Sequence, residues 1–507
     1  MRVAFVHPDL GIGGAENLVI NAAVALQSCG HEVTIFTAHC DRSHCFAEVK
    51  PGGSLGARVR VHGDWLPRRL PIIGGGTALC AVVRMLYVSL VVAIWHTWCP
   101  ALGVSLRHLC GRGGGGCRAG GADVVFCDQV SACIPLLRWL AGAPVLFYCH
   151  YPDKLLCVEG RGRWAKRVYR AILDTLEEAT TGCADSVLVN SAYTANVFAC
   201  AFRRLHARGA RPRILYPPVD VAAFAKGVAD QGGASLPAHL RPGSSGGGDP
   251  ALFLSINRFE RKKGLVLAVD AFAAAKAALL AAPGLTALAT PPSYGGGAHG
   301  GTAIHLVLAG GYDRNLRENV EHLAELRTRV RARGLVEGPG GDVTFLPSFS
   351  DRQKGDLLHR CRCVVYTPER EHFGIVPVEA MAAGRAVIAA SSGGPLESIV
   401  DGTTGFLCNA EADAFARAMV RLVRNPGLAA RMGRAGRARA AARFSLAAFA
   451  ASLDAQVRAL SAAAVSRRSE VGGSNAGSSW SQSCWPAFVA AAGVMALLTA
   501  TIYPTML

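Results

Sequence analysis

Acidic residues are scarce in this chain: 36 Asp and Glu stand against 53 Lys and Arg, a net charge of +17 over 507 residues. Such an imbalance favours acidic company, whether a phosphorylated ligand, anionic lipid or nucleic acid. Nucleic acid finds little support, because no aromatic-basic RNA-binding motif and no zinc module accompanies the charge. Cysteine pairs at recurring zinc spacing are also missing. The 17 cysteines are odd in number and scattered through apolar stretches, and Cys361-Arg362-Cys363 has no histidine partners. Buried thiols in a reducing compartment fit that pattern better than a disulfide framework. No asparagine begins an N-x-[ST] acceptor, which leans toward a cytosolic face. The opening Met1-Arg2-Val3-Ala4-Phe5-Val6-His7 reads as a short strand and lacks the long apolar core of a secretory leader. Residues 485–507 contain no Asp, Glu, Lys or Arg. That length of charge-free chain, following a polar tether over 466–484, predicts a transmembrane tail.

What is present is a chain that can bury a sizeable core, 51% apolar and 18% charged, which excludes wholesale disorder. Short strand-like runs alternate with helical patterns almost throughout, the mark of parallel sheets covered on both faces. Strands are predicted over 3–7, 32–38, 123–127, 145–150 and 186–190, then over 251–257, 304–310, 343–347, 363–367 and 386–390. A Pro/Gly/Ser-rich linker over 236–250 parts the two series. The expected fold class is α/β, with two doubly wound Rossmann-like domains, 1–235 and 251–465, facing a cleft. An apolar stretch over 85–106, inside a segment spanning 78–110, fits either a core helix or a monotopic helix in the membrane interface. A single crossing there would part the first strands from their sheet, and a sheet cannot pair across a bilayer. Glycine-rich runs over 111–121, 243–248 and 295–301 each lack a preceding strand or a following helix. They read as loop insertions without chemistry.

Three clusters could carry chemistry. Gly11-Ile12-Gly13-Gly14-Ala15-Glu16 follows a strand and opens a helix, where glycines let a ligand approach the backbone and the helix N-terminus favours an anion. It fails the dinucleotide fingerprint, since Glu16 stands where the third glycine belongs. Arg258-Phe259-Glu260-Arg261-Lys262-Lys263 lies at the carboxyl end of the first strand of the second domain, a place where a diphosphate could bind; a solvated charged turn is the plain alternative. Glu371-His372-Phe373-Gly374-Ile375-Val376-Pro377-Val378-Glu379 runs from a strand end into a helix. Backbone N–H groups at Gly374 and Ile375 could meet a phosphate there. Its two carboxylates need hydroxyl-rich or basic partners, because a buried carboxylate is costly alone.

Together these motifs resemble the retaining GT-B glycosyltransferases that use nucleotide sugars and carry two glutamates with seven residues between them. His7-Pro8-Asp9-Leu10-Gly11-Ile12-Gly13-Gly14-Ala15-Glu16, Thr37-Ala38-His39-Cys40-Asp41, Cys149-His150-Tyr151-Pro152-Asp153 and Tyr216-Pro217-Pro218-Val219-Asp220 sharpen the likeness. Within that class the chain is similar to the α-1,3/1,6-mannosyltransferases of the dolichol-linked N-glycan precursor pathway, over about residues 1–450. The resemblance implies transfer of mannose from GDP-mannose to dolichyl-diphosphate-linked Man-GlcNAc2, with retention, at the cytosolic face of the endoplasmic reticulum membrane. Other glycosyltransferases of the pathway are possible partners. Arg258 and Lys263 would neutralise the departing diphosphate, aided by Gly374 and Ile375. Glu371 would position the mannose and its phosphate, with Phe373 in the same donor-binding loop, and Glu379 would bind the ribose hydroxyls. His150 would contact the donor sugar, and Gly13 and Gly14 would let the first domain close on the diphosphate. No cofactor beyond the GDP-mannose co-substrate is expected. Asp-x-Asp occurs nowhere in the chain, which argues against a metal-dependent transferase of the other main fold, and no metal site is predicted. The rival within the class is another cytosolic-face lipid-linked-oligosaccharide transferase with a different donor or acceptor. An NAD-linked oxidoreductase would leave the second domain unexplained, and a non-catalytic scaffold would leave Arg258, Lys263, Glu371 and Glu379 without a purpose.

Overall fold

In the computed structural model, the structure describes residues 1–68, 77–101, 121–156, 164–225, 235–241, 250–281, 304–471 and residue 493. The three glycine-rich runs and the apolar tail over 485–507 lie almost wholly outside these, as does most of the expected linker over 236–250.

The chain forms two compact units, Met1–Pro218 with Phe449–Leu507, and Val219–Ala448. In the first unit the strands are β1 (Arg2–His7), β2 (Glu32–Thr37), β3 (Val59–Val61), β4 (Val124–Asp128), β5 (Val145–Cys149), β6 (Ser186–Val189) and β7 (Arg213–Ile214). They make one parallel sheet in the order β3-β2-β1-β4-β5-β6-β7. The runs Val124-Val125-Phe126-Cys127 and Val145-Leu146-Phe147-Tyr148 are buried throughout. Such unbroken apolar stretches belong to strands covered on both faces by helices. The sequence predicted five of the seven. β3 and β7 are short edge strands that give too little pattern to read.

Helix α1 (Gly14–Ser28) follows β1, and α2 (Thr77–Ala101) precedes β4. Among the described residues, the part of α2 from Thr77 to Trp95 is the one helix long and apolar enough to cross a membrane, and half of it is buried. Met85, Leu86, Val88 and Val92 pack into the core with β-strand residues Ala4, Val6, Phe36 and Val125. One face of α2 therefore belongs to the core.

The second unit repeats the plan with β8 (Ala251–Ile256), β9 (Ile304–Gly310), β10 (Val343–Pro347), β11 (Cys363–Tyr366), β12 (Ala386–Ala390) and β13 (Gly405–Cys408), in the parallel order β10-β9-β8-β11-β12-β13. Both sheets therefore reverse their strand order at one place, between β1 and β4 and between β8 and β11. Ligands of open α/β sheets bind beyond the carboxyl ends of the strands at such a switch point.

The sequence placed the domain boundary near 235 and ran the second domain to 465, whereas the units divide at Pro218 and again at Phe449. The cause is a long terminal helix, Leu446–Val471, which also takes up 466–471 of the expected tether. Its later turns return to the first unit. His31 Nε2 lies 2.5 Å from Asp454 Oδ1, and Arg467 pairs with Asp185 at 3.1 Å. Contacts between residues hundreds of positions apart leave no local pattern to read.

Candidate active site

In the second unit the basic motif begins where β8 ends. The Asn257 N–H donates to the Ala309 carbonyl and the Phe259 N–H to the Gly311 carbonyl, at 3.0 and 3.2 Å. This close approach depends on glycine beside β9: a Cβ on Gly310 would stand 1.7 Å from the Asn257 carbonyl oxygen. Arg258 is held at 2.9 Å by Glu260, which Lys262 also approaches at 3.2 Å. Glu260 is buried and Arg258 mostly exposed, so the carboxylate anchors a cation that still faces water. Lys263 ends the turn. Its Nζ donates to Glu371 Oε2 at 2.5 Å, and its carbonyl accepts from the Thr367 hydroxyl at 2.8 Å.

The Glu371 loop is built on a second glycine pair, at the end of β12. The Gly394 N–H donates to the Glu371 carbonyl at 2.9 Å. A Cβ on Gly394 would lie 2.2 Å from the Phe373 carbonyl oxygen. Phe373 itself is buried against the ring of Phe444, with centroids 5.8 Å apart. Its ring therefore anchors the loop from below. Gly374, at φ +74°, caps the helix Ile375–Ala382, so the first N–H groups of that helix, at Gly374 and Ile375, lie at its unsatisfied positive end. One turn on, Glu379 is paired to Lys354 at 2.5 Å. Burial pushes its carboxyl above the usual range, and Lys354 pulls against that. Tyr366 feels both carboxylates: its phenol is pushed well up by burial and then by Glu371 and Glu379.

In the first unit the equivalent edge holds a different arrangement. His7 at the end of β1 places Nδ1 2.6 Å from Asp128 Oδ1, and His150 beyond β5 places Nε2 3.1 Å from Asp128 Oδ2. One buried carboxylate thus serves two imidazoles. Burial favours the neutral acid, yet the two histidines hold Asp128 below the usual carboxylate range. For His7, burial disfavours the charged ring, but Asp128 and then Glu16 outweigh it and raise the imidazole. With Nε2 of His150 committed to Asp128, Nδ1 is the nitrogen left for a ligand. Gly13 is the extended N-cap of α1, with Glu16 in the first turn. A Cβ on Gly13 would meet Glu16 Oε2 at 2.3 Å, so this carboxylate leans back over the helix end. The anion expected at Gly13 and Gly14 meets an acidic side chain there, a departure from a bare phosphate loop.

Sequence reasoning singled out Lys263, Glu371, Gly374, Ile375 and Glu379, and the structure brings them to one sheet edge with Arg258 at its rim. His150, Gly13 and Gly14 lie on the first unit's edge. Asp128, Tyr366 and Lys354 were missed, and His7 and Glu260 were named only as members of motifs, without a role. His7 and Asp128 could have been found from their place at strand ends, since a polar residue closing an apolar strand is an unusual buried group. Among the described residues no group of three His, Cys, Asp or Glu could hold a metal ion.

Comparison with known proteins matches residues 12–223 to the glycosyltransferase family 4 model and residues 241–439 to the glycosyl transferases group 1 model. The chain is 45% identical over 448 residues to the human α-1,3/1,6-mannosyltransferase ALG2, covering 88% of this chain and 93% of that protein. It is 38% identical to the ALG2 of Dictyostelium discoideum, over 91% of this chain and 98% of its relative. The chain belongs to the ALG2 α-1,3/1,6-mannosyltransferase family. Among solved structures, the sucrose-phosphate synthase of Thermosynechococcus elongatus matches at TM-score 0.57 and 21% identity, over 91% of this chain and 99% of that one. That likeness is one of fold alone, and it places both units in the GT-B architecture. The family's activity is α-1,3/1,6-mannosyl transfer in N-glycan precursor assembly.

Proposed function

We propose that the chain moves mannose from GDP-mannose onto dolichyl-diphosphate-linked Man-GlcNAc2, forming the α-1,3 and α-1,6 linkages with retention. The observation that supports this most directly is the pairing of Lys263 with Glu371 at 2.5 Å on the carboxyl edge of a Rossmann sheet. A cation fixed beside a sugar-positioning carboxylate is what a sugar-diphosphate bond needs as it breaks. When C1–O cleaves, charge builds on the diphosphate, and preorganised positive groups stabilise it. Lys263 supplies that charge, Arg258 adds a second cation at the rim, and the N–H groups of Gly374 and Ile375 add a dipole of the same sign. Glu371 orients the mannose, and Glu379 accepts from the ribose. In the first unit His150 contacts the donor sugar, while the Glu16 carboxylate over the helix end sets Gly13 and Gly14 apart from a bare diphosphate loop. The acceptor hydroxyl oxygen bonds to C1 on the face the diphosphate leaves. Its proton passes to a phosphate oxygen, and GDP departs with the bonding pair. Neither glutamate works as a glycosidase acid or base in this scheme.

The enzyme is associated with the endoplasmic reticulum, its catalytic units facing the cytosol, in keeping with the basic charge and the dolichol-linked acceptor. The deciding experiment incubates purified protein in detergent with GDP-mannose and lipid-linked Man-GlcNAc2, then reads the product linkages. Two mannoses in α-1,3 and α-1,6 linkage support the proposal. Transfer only from another nucleotide sugar, or only to another lipid-linked glycan, overturns it.

A further inference from the structure

Lys354 belongs to no motif, yet it makes one of the three lysine–glutamate pairs of the site. It sits on the helix Asp351–Arg360, whose start is fixed by a capping box between Ser350 and Gln353. Gln353 in turn donates to the Ser235 carbonyl at 2.9 Å. Held this way, Lys354 Nζ reaches Glu379 Oε1 at 2.5 Å. The other carboxylate oxygen, Oε2, is buried and has no hydrogen-bond partner. Two further groups act on this carboxyl or feel it: Asp351 on the lysine's own helix, and Tyr366 at the end of β11.

A buried acceptor without a donor is expensive, and more so when charged. The strain ends in one of two ways. Either the carboxyl takes a proton, or a ligand brings donors. A protonated carboxyl offers a donor on one oxygen, whereas a carboxylate offers acceptor sites on both, and Oε1 keeps a free lone pair beside the lysine. The adjacent hydroxyls of a ribose are two donors at the spacing of a carboxylate's two oxygens.

We propose that Lys354 is a positioning residue that holds Glu379 as a carboxylate, so that its two oxygens accept the vicinal diol of the donor nucleoside and select ribose over deoxyribose. The inference rests on the reading of Glu379 as the ribose contact. A site built to bond a hydroxyl discriminates strongly against the analogue lacking it, because its own polar group is then left unpaired.

The experiment compares kcat/KM for GDP-mannose and 2′-deoxy-GDP-mannose, using full-length protein in detergent, between about pH 6 and about pH 9. The wild type is expected to favour the ribose donor at least about tenfold. Lys354→Met should lose that preference at neutral pH and recover it as pH rises and Glu379 ionises unaided. Lys354→Arg should keep the preference, and Glu379→Gln should lack it at every pH. A Lys354→Met enzyme with the wild-type preference at neutral pH overturns the role of Lys354 while leaving Glu379 in place. A wild type indifferent to the 2′-hydroxyl removes the ribose contact itself. Should Lys354→Met fail to fold, Lys354→Gln replaces it with the same two outcomes.

Discussion

At the carboxyl edge of the first sheet a single buried carboxylate, Asp128, lies between two imidazoles. At the same edge of the second sheet, two carboxylates each hold a lysine. Topologically the two places are equivalent, since each straddles a switch point. Chemically they differ in what the carboxylates hold. The second edge presents ammonium groups, each held against a carboxylate. Imidazole changes charge near neutrality, and at the first edge both rings are oriented by hydrogen bonds to Asp128. A leaving diphosphate calls for positive charge. Orienting a neutral sugar calls for hydrogen bonds of defined direction, which an imidazole held by a carboxylate provides.

The sharpest way to break this contrast is to remove one of these ammonium groups. Lys263→Ala should lower kcat by roughly a hundredfold to a thousandfold, the usual worth of one preorganised electrostatic contact at a developing anion. The melting midpoint should stay near that of the wild type, because the lysine is not part of the core. Turnover close to normal in the lipid-linked acceptor assay would show that the leaving group is stabilised elsewhere.

On the first edge the parallel change is Asp128→Asn. It preserves shape and removes the anion that the two histidines share. A loss of roughly tenfold to a hundredfold in kcat is expected, comparable with removing the outer partner of a functional histidine. Stability should change as well, with a pH signature. Asp128 is depressed in the fold, so its contribution is present above the ordinary carboxylate range and lost as pH falls through its lowered value. His7 is raised, so its contribution is present below the ordinary imidazole value and lost as pH climbs through the raised one. Melting curves of the variant should therefore be flatter at both ends than those of the wild type. Unchanged curves would mean the pair contributes no net stability.

How the two edges could be read from sequence differs for the same physical reason. Arg258, Lys263, Glu371 and Glu379 lie in two short segments with fixed spacing, so the local chain carries the signal. The strands and their parallel alternation were equally legible, because apolar runs buried on both faces are local features too. Asp128, His7 and His150 come from three strand ends, and Lys354 from a separate helix. Nothing in their own neighbourhoods says which partner they meet. The same holds for the division of the chain. His31 with Asp454 and Asp185 with Arg467 draw the terminal helix to the first unit, and such pairs exist only after folding.

A smaller test concerns the glycines behind the Glu371 loop. Gly394→Ala puts a Cβ about where the Phe373 carbonyl now sits, 2.2 Å away, against backbone that cannot swing aside. Overpacking of this kind costs about 1–3 kcal/mol. Since the strain falls on the donor loop, KM for GDP-mannose should rise while the first edge is untouched. A variant with unaltered KM and unaltered stability would show that the loop has room to shift.

The smallest effect expected is confined to the loop after His150, where Glu177 on the helix Trp164–Thr181 accepts from the backbone N–H groups of Asp153 and Lys154 at 2.6 and 3.0 Å. Burial pushes this carboxyl up to about 7, with Asp153 and Asp174 acting the same way and the two N–H donors opposing. The folded value lies above the unfolded one, so the stability it contributes is fully present below the ordinary carboxylate range. It is lost as pH rises through about 7. Above neutrality, then, the fold carries a poorly solvated carboxylate beside two other acids. Glu177→Gln keeps one acceptor for the loop and removes the titration. Between acidic and mildly alkaline buffer the wild type should lose melting temperature relative to the variant by on the order of 2–4 °C. Turnover at neutral pH should stay close to normal, since neither backbone donor touches the residues that handle the diphosphate. Equal slopes for the two proteins would mean that water reaches Glu177 freely, and that the loop carrying His150 is held by the ion pair of Arg170 with Asp153 at 3.3 Å instead.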